Sequence, residues 1–121
     1  MTNDYKSIAQ EFMKRWESAW NAGDVGELME LYTEESILVG YVTAVGKRAV
    51  EELLKGILDQ GWKRIEIRIT QIREINGIIL VANEYSAFGA GVNEGKKLEA
   101  KSSHVLALIN GSYVSVLHTA T

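Results

Sequence analysis

The chain has 121 residues, 46% hydrophobic and 24% charged, with no cysteine or proline and a formal net charge of −3 from 13 basic and 16 acidic side chains. That is one domain with enough apolar material for a core of its own, so no disulfide or metal staple is needed. The missing cysteine excludes a thiol nucleophile, a zinc–thiolate centre and an iron–sulfur cluster, and the acidic balance argues against nucleic acid as a partner.

A first helix is predicted from about Asp4 to Asn21. Ile8, Phe12, Trp16 and Trp20 recur every four residues, with Ala9 and Met13 beside them, which makes an amphipathic stripe. Ala22-Gly23 stops it. Asp24 then reads as the N-cap of a second helix, with Glu27 three residues on and an apolar face of Val25, Leu28, Met29 and Tyr32. Short strands follow at Ser36 to Val39 and around Tyr41 to Val45. A third helix begins near Lys47, where Val50, Leu53, Leu54, Ile57 and Leu58 keep helical spacing.

The second half reads as an antiparallel meander: Trp62 to Ile75, Ile78 to Gly89, Leu98 to Ile109 and Tyr113 to Ala120. Asn76-Gly77 and Asn110-Gly111 supply the positive φ angles of tight hairpin turns, and Val92 to Gly95 makes a looser one. Helices first and strands later suggest an α+β fold. The longest apolar runs, Ile78 to Ala82 and Val105 to Ile109, have five residues each. A bilayer needs about 20. Met1 to Lys6 lacks the pattern of a signal peptide. A single domain over residues 1–121, cytoplasmic and without membrane association, is the expectation.

Tight turns fix register, and register fixes faces. From Asn110-Gly111, Ala107 pairs with Val114, Val105 with Val116 and Ser103 with His118. His118 then faces the helices and His104 the other side, so the two histidines cannot bind one metal together. In the earlier hairpin, Ile65, Ile67 and Ile69 alternate but Ile72 breaks their parity. A bulge at Thr70-Gln71 restores it and sets Ile79, Val81, Asn83, Tyr85 and Ala87 on the isoleucine face, with Glu84 opposite. Three helices cover one face of such a sheet. The uncovered apolar face predicts a homodimer.

Ala19-Trp20-Asn21-Ala22-Gly23-Asp24 followed by Leu31-Tyr32-Thr33-Glu34-Glu35-Ser36 resembles the opening of the SnoaL-like proteins, of the nuclear-transport-factor-2-like superfamily. Gly46 to Val50 resembles the start of that family's third helix, and Val116-Leu117-His118-Thr119 the end of its last strand. The resemblance implies a cystatin-like cone, in which a curled antiparallel sheet wraps a long N-terminal helix and two shorter ones. It also implies an internal pocket and a dimer through the sheet. Isomerases, dehydratases, cyclases and non-catalytic modules share this fold, so the fold alone does not choose among them. In ketosteroid isomerases of the superfamily, a helix-1 tyrosine holds the oxyanion and a first-strand aspartate moves the proton. The matching places here hold Trp16 and Gly40, so the chain departs from that pattern.

The expected function is binding of a small apolar or partly polar molecule; whether the protein turns it over is left open, and catalysis, if present, is acid–base chemistry without a redox cofactor. The alternative is a dimerisation or partner-binding module with a vestigial pocket. His118 is the candidate proton-transfer group, because imidazole titrates near neutrality, and Tyr41 or Tyr85 is the candidate oxyanion donor. The expected pocket residues are Trp16, Trp20, Tyr32, Tyr41, Leu54, Leu58, Tyr85, Ser103 and His118. Gly89-Ala90-Gly91 precedes no helix and is no dinucleotide loop. Two histidines and no calcium-loop spacing give no expected metal site.

Overall fold

A computed structural model describes residues 4–121. Met1 to Asn3, half of the segment on which the leader reading rests, lie outside the described residues. Helix α1 spans Tyr5–Asn21, opened by the Asp4 carboxylate, which accepts from the Lys6 amide. Gly23, at φ 67°, turns the chain out of it. Helix α2, Val25–Met29, is capped as expected, with Asp24 accepting from the Glu27 amide at 3.0 Å. Tyr32 does not belong to its apolar face. The helix ends after little more than one turn, and Tyr32 opens strand β1, Tyr32–Val39. Strand β2 is Thr43–Val45 and helix α3 is Lys47–Asp59.

Strands β3, Trp62–Ile75, and β4, Ile78–Gly89, form the first long hairpin. Strands β5, Lys97–Ile109, and β6, Ser112–Ala120, form the second. Asn76 and Asn110 adopt positive φ of 50° and 51° at the two tight turns. The six strands lie in the order β2-β1-β6-β5-β4-β3, antiparallel except where β1 runs parallel to β6. The fold is α+β, a six-stranded sheet curled around α1 and closed by α3. Among the described residues no helix is long and apolar enough to cross a membrane.

Two bulges set the inner face. The β3–β4 register shifts between Ile69 and Gln71, where parity required it, and Ile79, Val81, Asn83 and Ala87 are buried while Glu84 is exposed. The second bulge was not foreseen. Val105 pairs with Leu117 and Leu106 with Ser115, so Val116 is the extra residue of β6. Beyond it, His118 faces His104 instead of Ser103. The buried side of β5 carries His104 and Leu106, and the expectation that His104 faces outward is overturned. One inserted residue moves every later side chain across the sheet. An inner row results across five strands: Leu38, His118, His104, Val81 and Ile72.

Helix α1 also caps the open edge of the sheet. Trp20 donates its indole N–H to the Trp62 carbonyl at 2.9 Å. The Asn21 amide pairs with both the N–H and the carbonyl of Ile65, and Glu17 accepts from the Ile67 amide. These side chains take the place of a missing neighbour strand along Trp62 to Ile67, which protects that part of β3 from pairing with another chain.

Candidate functional site

Between α1, α3 and the inner face of the sheet lies a cavity of about 280 Å³. Met13, Trp16 and Trp20 of α1 form one wall, and Leu53, Leu54 and Ile57 of α3 a second. Ile65, Ile67, Tyr85, Ala87 and Leu98 of the sheet form a third. Trp16 and Trp20, four residues apart on one helix face, stack with ring centroids 5.2 Å apart and planes 9° apart. Among the described residues no aspartate, glutamate, lysine or arginine side chain lines the cavity. Its polar lining includes Gln60, Ser102, His104 and His118.

The histidines form the chemical centre. Their rings stack at 4.0 Å between centroids, with 25° between planes. Trp16 donates its indole N–H to the Tyr32 hydroxyl at 2.9 Å, and that hydroxyl lies 2.9 Å from His118 Nδ1. His104 Nδ1 lies 2.8 Å from the Ser115 hydroxyl, which donates to the Leu117 carbonyl at 3.2 Å. Phe12 packs edge-on to His104, and Trp16 edge-on to His118.

Burial sets the charge state. Desolvation pulls His118 down from 6.5 to about 3. His104 is held well below its ordinary value by desolvation and by the neighbouring His118. Tyr32 is pushed up by burial. Both imidazoles are therefore neutral at pH 7, which corrects the expectation that His118 titrates near neutrality.

Of the expected pocket residues, Trp16, Trp20, Tyr41, Leu54, Tyr85 and His118 line the cavity. Tyr41 sits there 75% exposed, so water competes for its hydroxyl. Tyr32 lies behind His118 rather than on the wall. Leu58 is buried in the core and borders a separate hollow beside Asn21, Ala22 and Lys55. Ser103 is exposed on the outer face, because the β6 bulge and the β5 parity bring Ser102 inward instead. The residue that sequence reasoning missed is His104. The signal was its parity with Leu106, which is fully buried.

Trp16 and Gly40 both line the cavity, but the Trp16 N–H is spent on Tyr32 and Gly40 offers no side chain. Among the described residues no group of three His, Asp or Glu side chains could hold a metal ion.

No protein-family model and no curated protein matches the sequence. Solved structures do. A nuclear-transport-factor-2-like protein of unknown function from Shewanella oneidensis MR-1 superposes with a TM-score of 0.82 at 16% identity, over 95% of this chain and 97% of that one. A ketosteroid isomerase-like protein from Erwinia carotovora atroseptica SCRI1043 gives 0.83 at 16% identity, over 98% and 96%. A domain of unknown function with a cystatin-like fold from Nostoc punctiforme PCC 73102 gives 0.83 at 15% identity, over 100% and 78%. The chain has the nuclear-transport-factor-2-like, cystatin-like fold.

Proposed function

We propose that this protein is a SnoaL-like module that binds a small, mainly apolar molecule in its internal cavity. The observation that carries this reading is the cavity itself: about 280 Å³ of apolar and aromatic lining, with two neutral histidines as its main polar feature. A cavity of about 150 Å³ takes benzene, so this one suits a bicyclic molecule or a single ring with a short substituent. The open volume speaks against a vestigial pocket. Cofactor-independent chemistry of the isomerase, dehydratase or cyclase kind would run through His104 and His118, because among the described residues no Asp or Glu side chain lines the site.

Filling the cavity tests the reading. Ala87 is buried on its wall, in β4 between Ile65 and Leu98. Ala87→Phe should place a ring in the open volume and abolish binding of bicyclic apolar probes, read by quenching of tryptophan fluorescence, while the far-UV circular dichroism stays unchanged. Unchanged probe affinity in this variant would refute the site.

We also propose a homodimer through the outer face of the sheet. Register aligns Val45, Ile37, Leu117, Val105 and Leu80 in one apolar row across five strands. Val45 is 65% exposed, and Ile37, Leu117 and Leu80 are each 37% exposed. A contiguous apolar row of this width marks an interaction surface. Leu117→Lys sets a charge at its centre and should convert a dimer to a monomer in sedimentation equilibrium. A wild-type chain that already sediments as a monomer at micromolar concentration would defeat the proposal.

A further inference from the structure

We infer that the histidine pair selects a ligand carrying a hydroxyl group, an alcohol or a phenol, and holds its oxygen at the Nε2 edges of the two stacked rings. The inference rests on the cavity reading above and adds what the cavity's polar end recognises. The direction of each hydrogen bond decides it. An indole N–H only donates, so the Tyr32 hydroxyl accepts from Trp16 and turns its own proton to His118 Nδ1. His118 Nδ1 therefore carries a lone pair and its Nε2 carries the hydrogen. We assign the Ser115 proton to the Leu117 carbonyl, at 3.2 Å, which leaves the Ser115 oxygen to accept from His104 Nδ1 at 2.8 Å. His104 is then the opposite tautomer, with a lone pair on Nε2.

Both Nε2 atoms serve the cavity. Tyr32 and Ser115, which hold the two Nδ1 atoms, are register partners on adjacent strands. The two Nδ1 atoms thus point to one end of the site, and the Nε2 atoms across each ring point away from it. Neither Nε2 has a hydrogen-bond partner among the described residues. Neither is sealed from solvent either: the one fully enclosed and unpaired polar side-chain atom is Asn83 Oδ1. Both residues line the cavity, with ring centroids 4.0 Å apart.

The cavity end thus presents one donor beside one acceptor on neutral rings. A hydroxyl oxygen matches both, accepting from His118 and donating to His104. A ketone or ether oxygen satisfies only His118 and leaves the His104 lone pair facing an acceptor. A carboxylate does the same with added charge in an apolar site. A site built around a hydroxyl rejects analogues that lack it, because its own polar groups are left unpaired.

The test compares indan-5-ol with 5-methylindane, which replaces the hydroxyl by a methyl, and with 1-indanone, which offers an acceptor only. Affinities are read from Trp16 and Trp20 fluorescence in the full chain. Indan-5-ol should bind about tenfold or more tighter than both. Equal affinities for the three would overturn the inference and leave the apolar cavity standing. Failure of all three to bind would overturn the cavity reading and the inference together. A second measurement needs no variant and no ligand: long-range ¹⁵N–¹H correlation spectra of the wild-type protein. They should show His118 protonated at Nε2 and His104 at Nδ1. A shared tautomer, or the reverse assignment, would remove the donor–acceptor pair and the inference with it.

Discussion

Acidification from pH 7 to pH 4 should markedly destabilise this protein, and the two buried histidines should contribute to the loss. Their folded values lie below the ordinary 6.5, His118 at about 3 and His104 well below its usual value. Between those limits the unfolded chain binds more protons than the folded one, so stability rises with pH across the window. The contribution is fully present above about pH 6.5 and is lost as the pH falls toward 3. His118 alone contributes about 1.4 kcal/mol per pH unit there. From pH 6 to pH 4 it removes roughly 2–3 kcal/mol, and His104 acts in the same direction, against a total of about 5–15 kcal/mol for a domain. The physical cause is burial in the site itself, where among the described residues no Asp or Glu side chain stands by to hold an imidazolium. Protonating His118 at Nδ1 would also turn the Tyr32 proton away from its acceptor. Urea melts at pH 7, 6 and 5 check this: the midpoint should fall steeply, with about two protons taken up on unfolding. A midpoint that is flat across that range would show that the histidines are not buried as neutral bases.

Tyr32→Phe should cost far more than one oxygen atom suggests. The hydroxyl sits between Trp16 Nε1 and His118 Nδ1, at 2.9 Å from each, in a buried setting. Removing it strands a donor and an acceptor at once. Each unsatisfied buried group costs about 1–3 kcal/mol, so a loss of about 2–5 kcal/mol is expected in denaturant melts. Tyr85→Phe is the internal control. Its hydroxyl donates to the Thr121 carbonyl at 3.3 Å in an exposed position, and its loss should fall within about 0.5 kcal/mol. Equal costs for the two variants would mean that the Trp16–Tyr32–His118 chain does not hold the core together. The same variant frees His118 to change tautomer, so its imidazole nitrogen spectrum should shift while that of His104 stays in place.

Much of the architecture was legible because it depends on local chemistry. The four-residue recurrence of Ile8, Phe12, Trp16 and Trp20 describes one helix face wherever that helix packs. Asp24 with Glu27 describes a helix start, and Asn-Gly describes a tight hairpin turn. Even the Thr70 bulge could be read, since Ile65, Ile67 and Ile69 on one side and Ile72 on the other leave no regular alternative. The candidate site was less legible. Ser115-Val116-Leu117-His118 alternates plausibly without a bulge, so nothing local marks Val116 as the extra residue. Ser103 was therefore set inside and His104 outside, both on the wrong face. The edge-capping role of Glu17, Asn21 and Trp20 was equally silent, because it depends on which strand lies beneath α1.

The sequence by itself determined the helix and hairpin inventory, the α+β class and an apolar interior without thiols. Those features follow from short-range periodicity and turn chemistry, which act within a few residues of the chain. Only the tertiary structure decided that His104 and His118 stack, which ring nitrogen each leaves free, and that among the described residues no Asp or Glu side chain lines the cavity. Those outcomes depend on pairings between Tyr32 and His118, 86 residues apart, and between His104 and Ser115 across a bulged ladder. A one-residue slip in that ladder exchanges its two faces, and a difference so small leaves no periodic trace for a sequence to carry.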